Sequence, residues 1–121
     1  MLNELLSELS EKDTANLLAM IDASRKIQLF TQNIENADEF YANEMIYDAT
    51  LMNFVVIGEA ASKISTEVRQ ANKQVDFIKI KNFRNMIAHD YFGVDAEVIW
   101  QIIVNNIPTL ITDVKQILGQ K

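Results

Sequence analysis

The sequence predicts an all-α protein, an up-and-down helical bundle. Apolar residues recur at three- and four-residue spacing along most of the 121-residue chain, the spacing that lines one face of a helix. No stretch has the period-two alternation of a sheet strand. Glycine and proline, which interrupt helices, are scarce, with 3 and 1 copies.

Residues 2–12 read as a short amphipathic arm, with Leu2, Leu5, Leu6 and Leu9 in a stripe, and the main domain is taken as 13–121. Asp13 is the expected N-cap of a helix from Thr14 to about Asn33, because a short acidic side chain can accept from a free backbone N–H of the first turn. Leu17, Met20, Ile21, Ile27, Phe30 and Ile34 lie close to one face, and Ser24 is a small contact within it. Arg25 and Lys26 flank that face and read as surface. Asn36 to Asn43 is an acidic aromatic loop or a single helical turn, with Phe40 in the core.

The longest helix is expected from Glu44 to about Asn72. It is apolar over much of its girth, so it is central or lies in an interface. Gly58 within it costs about 1 kcal/mol against Ala, which points to close approach of a neighbouring helix. Asp76 caps a helix expected from Phe77 to about Tyr91, ended by Gly93. Lys79 and Lys81 are expected on its exposed side. Asp95 caps a helix from Ala96 to about Asn105, with Val98, Ile99, Ile102 and Ile103 inward and Trp100 in core or interface. Pro108 marks a break and opens the last helix, since proline fits a first turn and not an interior.

Chemistry concentrates in one stretch, Phe83 to Gly93, which holds the only histidine. Arg84 and Tyr91 fall about 20° apart on a continuous helix, and His89 sits above Asn85, about 140° round from Arg84. Histidine suits proton transfer near neutral pH. Arginine suits a phosphate, because its planar fork donates two parallel hydrogen bonds. A bland alternative stands beside this one: a histidine in the last turn of a helix also interacts well with the dipole. Glu59, next to Gly58, is either a carboxylate that orients Arg84 or His89, or a salt bridge without chemistry. Asp90 adds to a polar setting that favours exposure of the Tyr91 hydroxyl.

Composition narrows the classes. There is no cysteine, so thiolate and disulfide chemistry are excluded. A single histidine and scattered carboxylates argue against a transition-metal site. The net charge of −6 argues against broad non-specific nucleic-acid binding, though not against a small positive cleft. No apolar run reaches the length of a membrane span. The first residues lack the basic region of a signal peptide, and the cytoplasm is the expected location.

With these residues in view, the chain resembles the HepT-like ribonuclease toxin family of the HEPN superfamily. Arg84, four residues, His89, one residue, Tyr91 matches the family signature. Ile57-Gly58-Glu59-Ala60, Asp90 to Asp95 and Val98-Ile99-Trp100 match its flanks, over about Asn16 to Leu118. There are two departures. Tyr47-Asp48-Ala49 stands where the family often has Arg-Asp-Ala, which removes a positive charge that could face RNA or a partner. Phe77 stands for a tryptophan and keeps an aromatic plug. The resemblance implies a homodimeric, metal-independent endoribonuclease without a cofactor, with Arg84 and His89 catalytic and Asn85, Glu59 and Asp90 supporting. It further implies an MntA-like nucleotidyltransferase antitoxin that transfers AMP to Tyr91. The competing reading is a non-catalytic subunit that docks such a nucleotidyltransferase.

Overall fold

The computed structural model describes residues 9–119. The expected arm falls mainly on residues 1–8 and so lies outside the described residues. Among the described residues the chain is an all-α bundle: α1 (Glu11–Thr31), α2 (Ala37–Ala42), α3 (Glu44–Ser62), α4 (Thr66–Ala71), α5 (Phe77–His89), α6 (Ala96–Asn105) and α7 (Ile107–Ile117), with a 3-10 turn at Tyr91–Gly93. The central helix α3 packs against α1 on one side and α5 on the other, while α7 covers α1 and α6 covers α2. Leu17, Met20, Ile27, Leu51, Ile57, Ile87, Ile99 and Val114 fill the space between them and are almost wholly buried.

Phe40 is fully buried, as its place in the acidic turn predicts. Its ring lies 5.1 Å from that of Tyr47 and 5.7 Å from that of Trp100, which ties α2 to α3 and α6. Tyr47 is itself buried. Position 47 therefore faces the interior, and the missing positive charge there is not missing from an exposed surface. Phe77 plugs the base of α5, 2% exposed. The caps of the later helices are those expected: Asp76 accepts from Lys79 N and Asp95 from Glu97 N, both at 2.9 Å. Val98 departs from the inward set and is half-exposed, while Ile99 and Ile103 are buried.

The start of α1 and the end of α3 differ from the sequence expectation, and one interaction explains both. Ser10, not Asp13, caps α1, accepting from Asp13 N at 2.9 Å. The Asp13 carboxylate, 4% exposed, turns away from its own helix. It accepts from the backbone N–H of Ser65 at 2.9 Å and from the Ser65 hydroxyl at 2.6 Å. Ser65 is extended and caps α4, so the long helix expected from Glu44 to Asn72 breaks after Ser62. A serine hydroxyl competes with the helical backbone for hydrogen bonds, and a buried carboxylate that takes the Ser65 N–H completes the interruption. Asp13→Ala leaves both donors without a partner, and about 1–3 kcal/mol of stability should be lost. Urea unfolding measures it, and a midpoint equal to that of the parent would show the contact to be idle.

Candidate functional site

The site is built where α5 crosses α3. The crossing is close because position 58 has no side chain: a Cβ there would overlap the Cβ of Arg84 and come within 3.2 Å of the Ile80 carbonyl oxygen. Gly58 thus serves the close approach that its cost in a helix implied.

Next to it, Glu59 reaches across. Arg84 Nη1 donates to Glu59 Oε2 at 2.5 Å, and Lys63 Nζ lies 3.9 Å from the other carboxylate oxygen. The Arg84 side chain is 22% exposed and that of Glu59 48%, so water screens the pair and it adds little to stability. Its consequence is orientation. Glu59 engages one guanidinium nitrogen, while Arg84 Nε is buried without a partner. Of the two partners open to Glu59, the contact formed is with Arg84 and not with His89.

His89 is the last residue of α5 and is exposed. Among the described residues no hydrogen bond or ion pair joins it to Arg84. Helix α5 ends there, with Asp90 as C-cap, two residues earlier than expected. Gly93 does not end the helix in a left-handed conformation; it lies in the 3-10 turn with negative φ. Its lack of a side chain serves packing instead, since a Cβ would sit 2.6 Å from Asp90 Cγ. Asp90 therefore folds against the turn. Asn85 is half-buried on α5.

Because the helix stops at His89, continuous helical geometry does not place Tyr91. A contact with α3 does: the Tyr91 hydroxyl donates to Asp48 Oδ1. Burial, then the Asp48 hydrogen bond and the Asp48 charge, push the Tyr91 hydroxyl from 10.0 up to about 12. The raised value means that folding favours the neutral phenol. The resulting stability is fully present below pH 10 and is lost as pH rises from about 10 to about 12. Asp48→Asn removes the charge, so an absorbance titration should show one tyrosine ionising at lower pH than in the parent. An unchanged titration would place that tyrosine away from Asp48.

Asp48 is the member of this candidate site that sequence reasoning passed over. The signal was present, because Asp48 and Glu59 are eleven residues apart, which puts them about 20° apart on one face of α3. Each holds one residue of the motif, Asp48 the tyrosine and Glu59 the arginine. Between them on that face stand Met52, 61% exposed, and Val56, 40% exposed. On the far side of α5 a cleft of about 210 Å³ is lined by Met86, Asp90, Gly93, Val94, Asp95 and Val98. Its two carboxylates make it a poor place for a phosphate. Among the described residues no group of three or more His, Cys, Asp or Glu side chains converges, and no helix is long and apolar enough to cross a membrane.

A family model described as "Ribonuclease HepT-like" matches residues 20–117. The chain belongs to the HepT-like family. A "Putative RNase" of Methanocaldococcus jannaschii is 29% identical over 108 residues, covering 88% of this chain and 98% of that protein. Another protein so named, from Caldanaerobacter subterraneus subsp. tengcongensis, is 32% identical over 84 residues, 69% of this chain and 75% of the relative. A "Probable ribonuclease HepT" of Thermococcus cleftensis is 28% identical over 101 residues, 84% of this chain and 89% of the relative. No solved structure matches the chain significantly. The HepT-like match spans α3 and α5 and so takes in every residue of the candidate site.

Proposed function

We propose that this HepT-like chain is a metal-independent endoribonuclease toxin that acts as a homodimer and is silenced by adenylylation of Tyr91. The observation that carries the reading is an arginine held by one arm of its fork five residues before an exposed histidine. Arg84 is the phosphate ligand. His89 moves the protons: one leaves the RNA 2′-hydroxyl as its oxygen bonds to phosphorus, and one reaches the departing 5′-oxygen. The products are a 2′,3′-cyclic phosphate and a 5′-hydroxyl, and no metal enters the step.

This chemistry calls for a second copy. Within one chain His89 and Arg84 are not joined, and a dimer brings two Arg–His pairs to one cleft. Met52 and Val56 are exposed on α3 between Asp48, which holds Tyr91, and Glu59, which holds Arg84, and are the kind of surface that a second copy covers. Asn85 and Asp90 border the histidine, and Glu59 sets the arginine. A negative RNA phosphate competes with the Glu59 carboxylate for Arg84, so Glu59 holds the fork in place without saturating it.

Purified, unmodified protein should cleave RNA equally well with and without EDTA. Absence of cleavage would favour the second reading, a binding subunit that docks a nucleotidyltransferase. The net charge of −6 and the Glu59 grip on Arg84 speak for that alternative.

Control is read at Tyr91. An AMP group there adds a covalent phosphate and would occupy the arginine's anion site by the same electrostatics as RNA. Incubation with an MntA-like nucleotidyltransferase and ATP should add about 329 Da per AMP. Tyr91→Phe keeps the ring and removes the acceptor, so it should take up no AMP and escape neutralisation. Equal modification of parent and Tyr91→Phe would put the acceptor elsewhere.

A further inference from the structure

We infer that Asp48 is the proton acceptor in nucleotidyl transfer to Tyr91, the chain supplying from its own α3 the base for its own modification. The inference rests on the reading of Tyr91 as the modified residue and adds a residue that the motif does not contain.

The geometry comes first. Tyr91 lies beyond the end of α5, on the 3-10 turn, and its hydroxyl hydrogen points to Asp48 Oδ1, 43 residues earlier in the chain. Asp48 is exposed and Tyr91 half-buried, so the pair lies at the surface and not in the core. The atom that must lose a proton is already donating it to a carboxylate.

The chemistry needs such a partner. With its hydroxyl at about 12, Tyr91 ionises spontaneously at neutral pH in only about one molecule in 10⁵. Nucleotidyl transfer from this oxygen therefore needs a base acting in concert with attack. The Tyr91 O–H bond breaks and its proton passes to Asp48 Oδ1. The oxygen bonds to the α-phosphorus of a nucleoside triphosphate, the bond from that phosphorus to the bridging oxygen breaks, and pyrophosphate leaves. Asp48 then returns the proton to water. No atom changes oxidation state, and the triphosphate and its metal arrive with the nucleotidyltransferase. The product has no hydrogen to offer Asp48 and sets an anionic phosphodiester beside it. Repulsion then moves the phosphodiester away from Asp48, which favours completion.

The test follows AMP incorporation by intact mass between about pH 6 and pH 9, with ATP and an MntA-like nucleotidyltransferase. The proteins compared are the parent, Asp48→Asn, Asp48→Glu and Tyr91→Phe. Asparagine keeps an oxygen that can accept the hydrogen bond but cannot take the proton. Its rate should fall by about 10²–10⁴-fold, the usual contribution of a positioned base. It should also rise about tenfold per pH unit, because the variant must wait for the phenolate. Asp48→Glu should restore part of the rate and flatten that slope. Circular dichroism equal to that of the parent separates these effects from misfolding. If the parent is modified at Tyr91 and Asp48→Asn is modified at the same rate with the same pH profile, Asp48 is not the base, and the Tyr91 reading stands. If the parent itself takes no AMP at Tyr91, the reading of Tyr91 fails and this inference falls with it.

Discussion

His89→Ala should cleave RNA at least about 100-fold more slowly than the parent, the lower end of what a positioned acid–base group contributes. The residue is exposed in the last turn of α5 and packs against nothing in the core. An exposed substitution of this kind changes stability by about 0.5 kcal/mol or less, so helical content and unfolding midpoint should match those of the parent. Loss of activity with retained fold separates chemistry from scaffolding. Arg84→Ala should be comparably inactive for a different reason. It keeps the Cβ that lies against Gly58 and gives up the Cγ and Cδ methylenes together with the guanidinium. The lost contact with Glu59 costs about 0.2–1 kcal/mol at this exposure, far too little to unfold a domain. Arg84→Lys keeps the charge but not the fork and should recover only a small part of the rate. A purified His89→Ala protein that cleaves at the parental rate would remove this residue from the mechanism.

Gly58→Ala should lower both stability and cleavage, although alanine is the better helix former. Two effects oppose each other. The intrinsic preference for alanine in a helix is worth about 1 kcal/mol. Against it, the new Cβ meets the Arg84 Cβ, with Arg84 Cγ at 2.7 Å and the Ile80 carbonyl oxygen at 3.2 Å. A Cβ cannot rotate away, as a side-chain tip can, so α5 must move off α3. Overpacking of this kind costs about 1–3 kcal/mol, which matches or exceeds the gain. The movement also carries Arg84 away from Glu59. A displacement near 1 Å can cost about 100-fold in rate, so cleavage should suffer more than stability. Chemical denaturation and an RNA cleavage assay on the same preparation give both numbers. Parental values in both would mean that the two helices have slack at the crossing.

Much of the fold was legible from local pattern. The apolar stripes locate α1, α3, α5, α6 and α7, and Asp76, Asp95 and Pro108 mark where three of them begin. Phe40, Phe77 and Gly58 have the roles that their types imply. The errors share one cause. Asp13 looks like a cap when only its neighbours in sequence are considered, yet its hydrogen-bond partners lie 52 residues away. The stretch from Glu44 to Asn72 looks continuous because nothing local shows that Ser65 has a buried acceptor waiting on α1. Val98 continues an apolar run, but it lines the open cleft with Met86 and Asp90 and stays half-exposed.

The candidate site divides in the same way. Which groups are present, Arg84, His89, Tyr91 and the carboxylate beside Gly58, can be read before folding, because their type and spacing are local properties. Which of them touch depends on how the helices pack. A helix period would carry Tyr91 round to the side of Arg84, but α5 ends at His89, and from there the path of the chain depends on what it can bond to. Asp48 and Glu59 share one face of α3, and α5 lies across it. The acid near one end of that face takes the tyrosine and the acid near the other takes the arginine. Spacing within one helix can align residues, but only the packing of two helices selects the partner of each, because hydrogen bonds and ion pairs act over a few ångströms and the chain brings these groups that close only once it is folded.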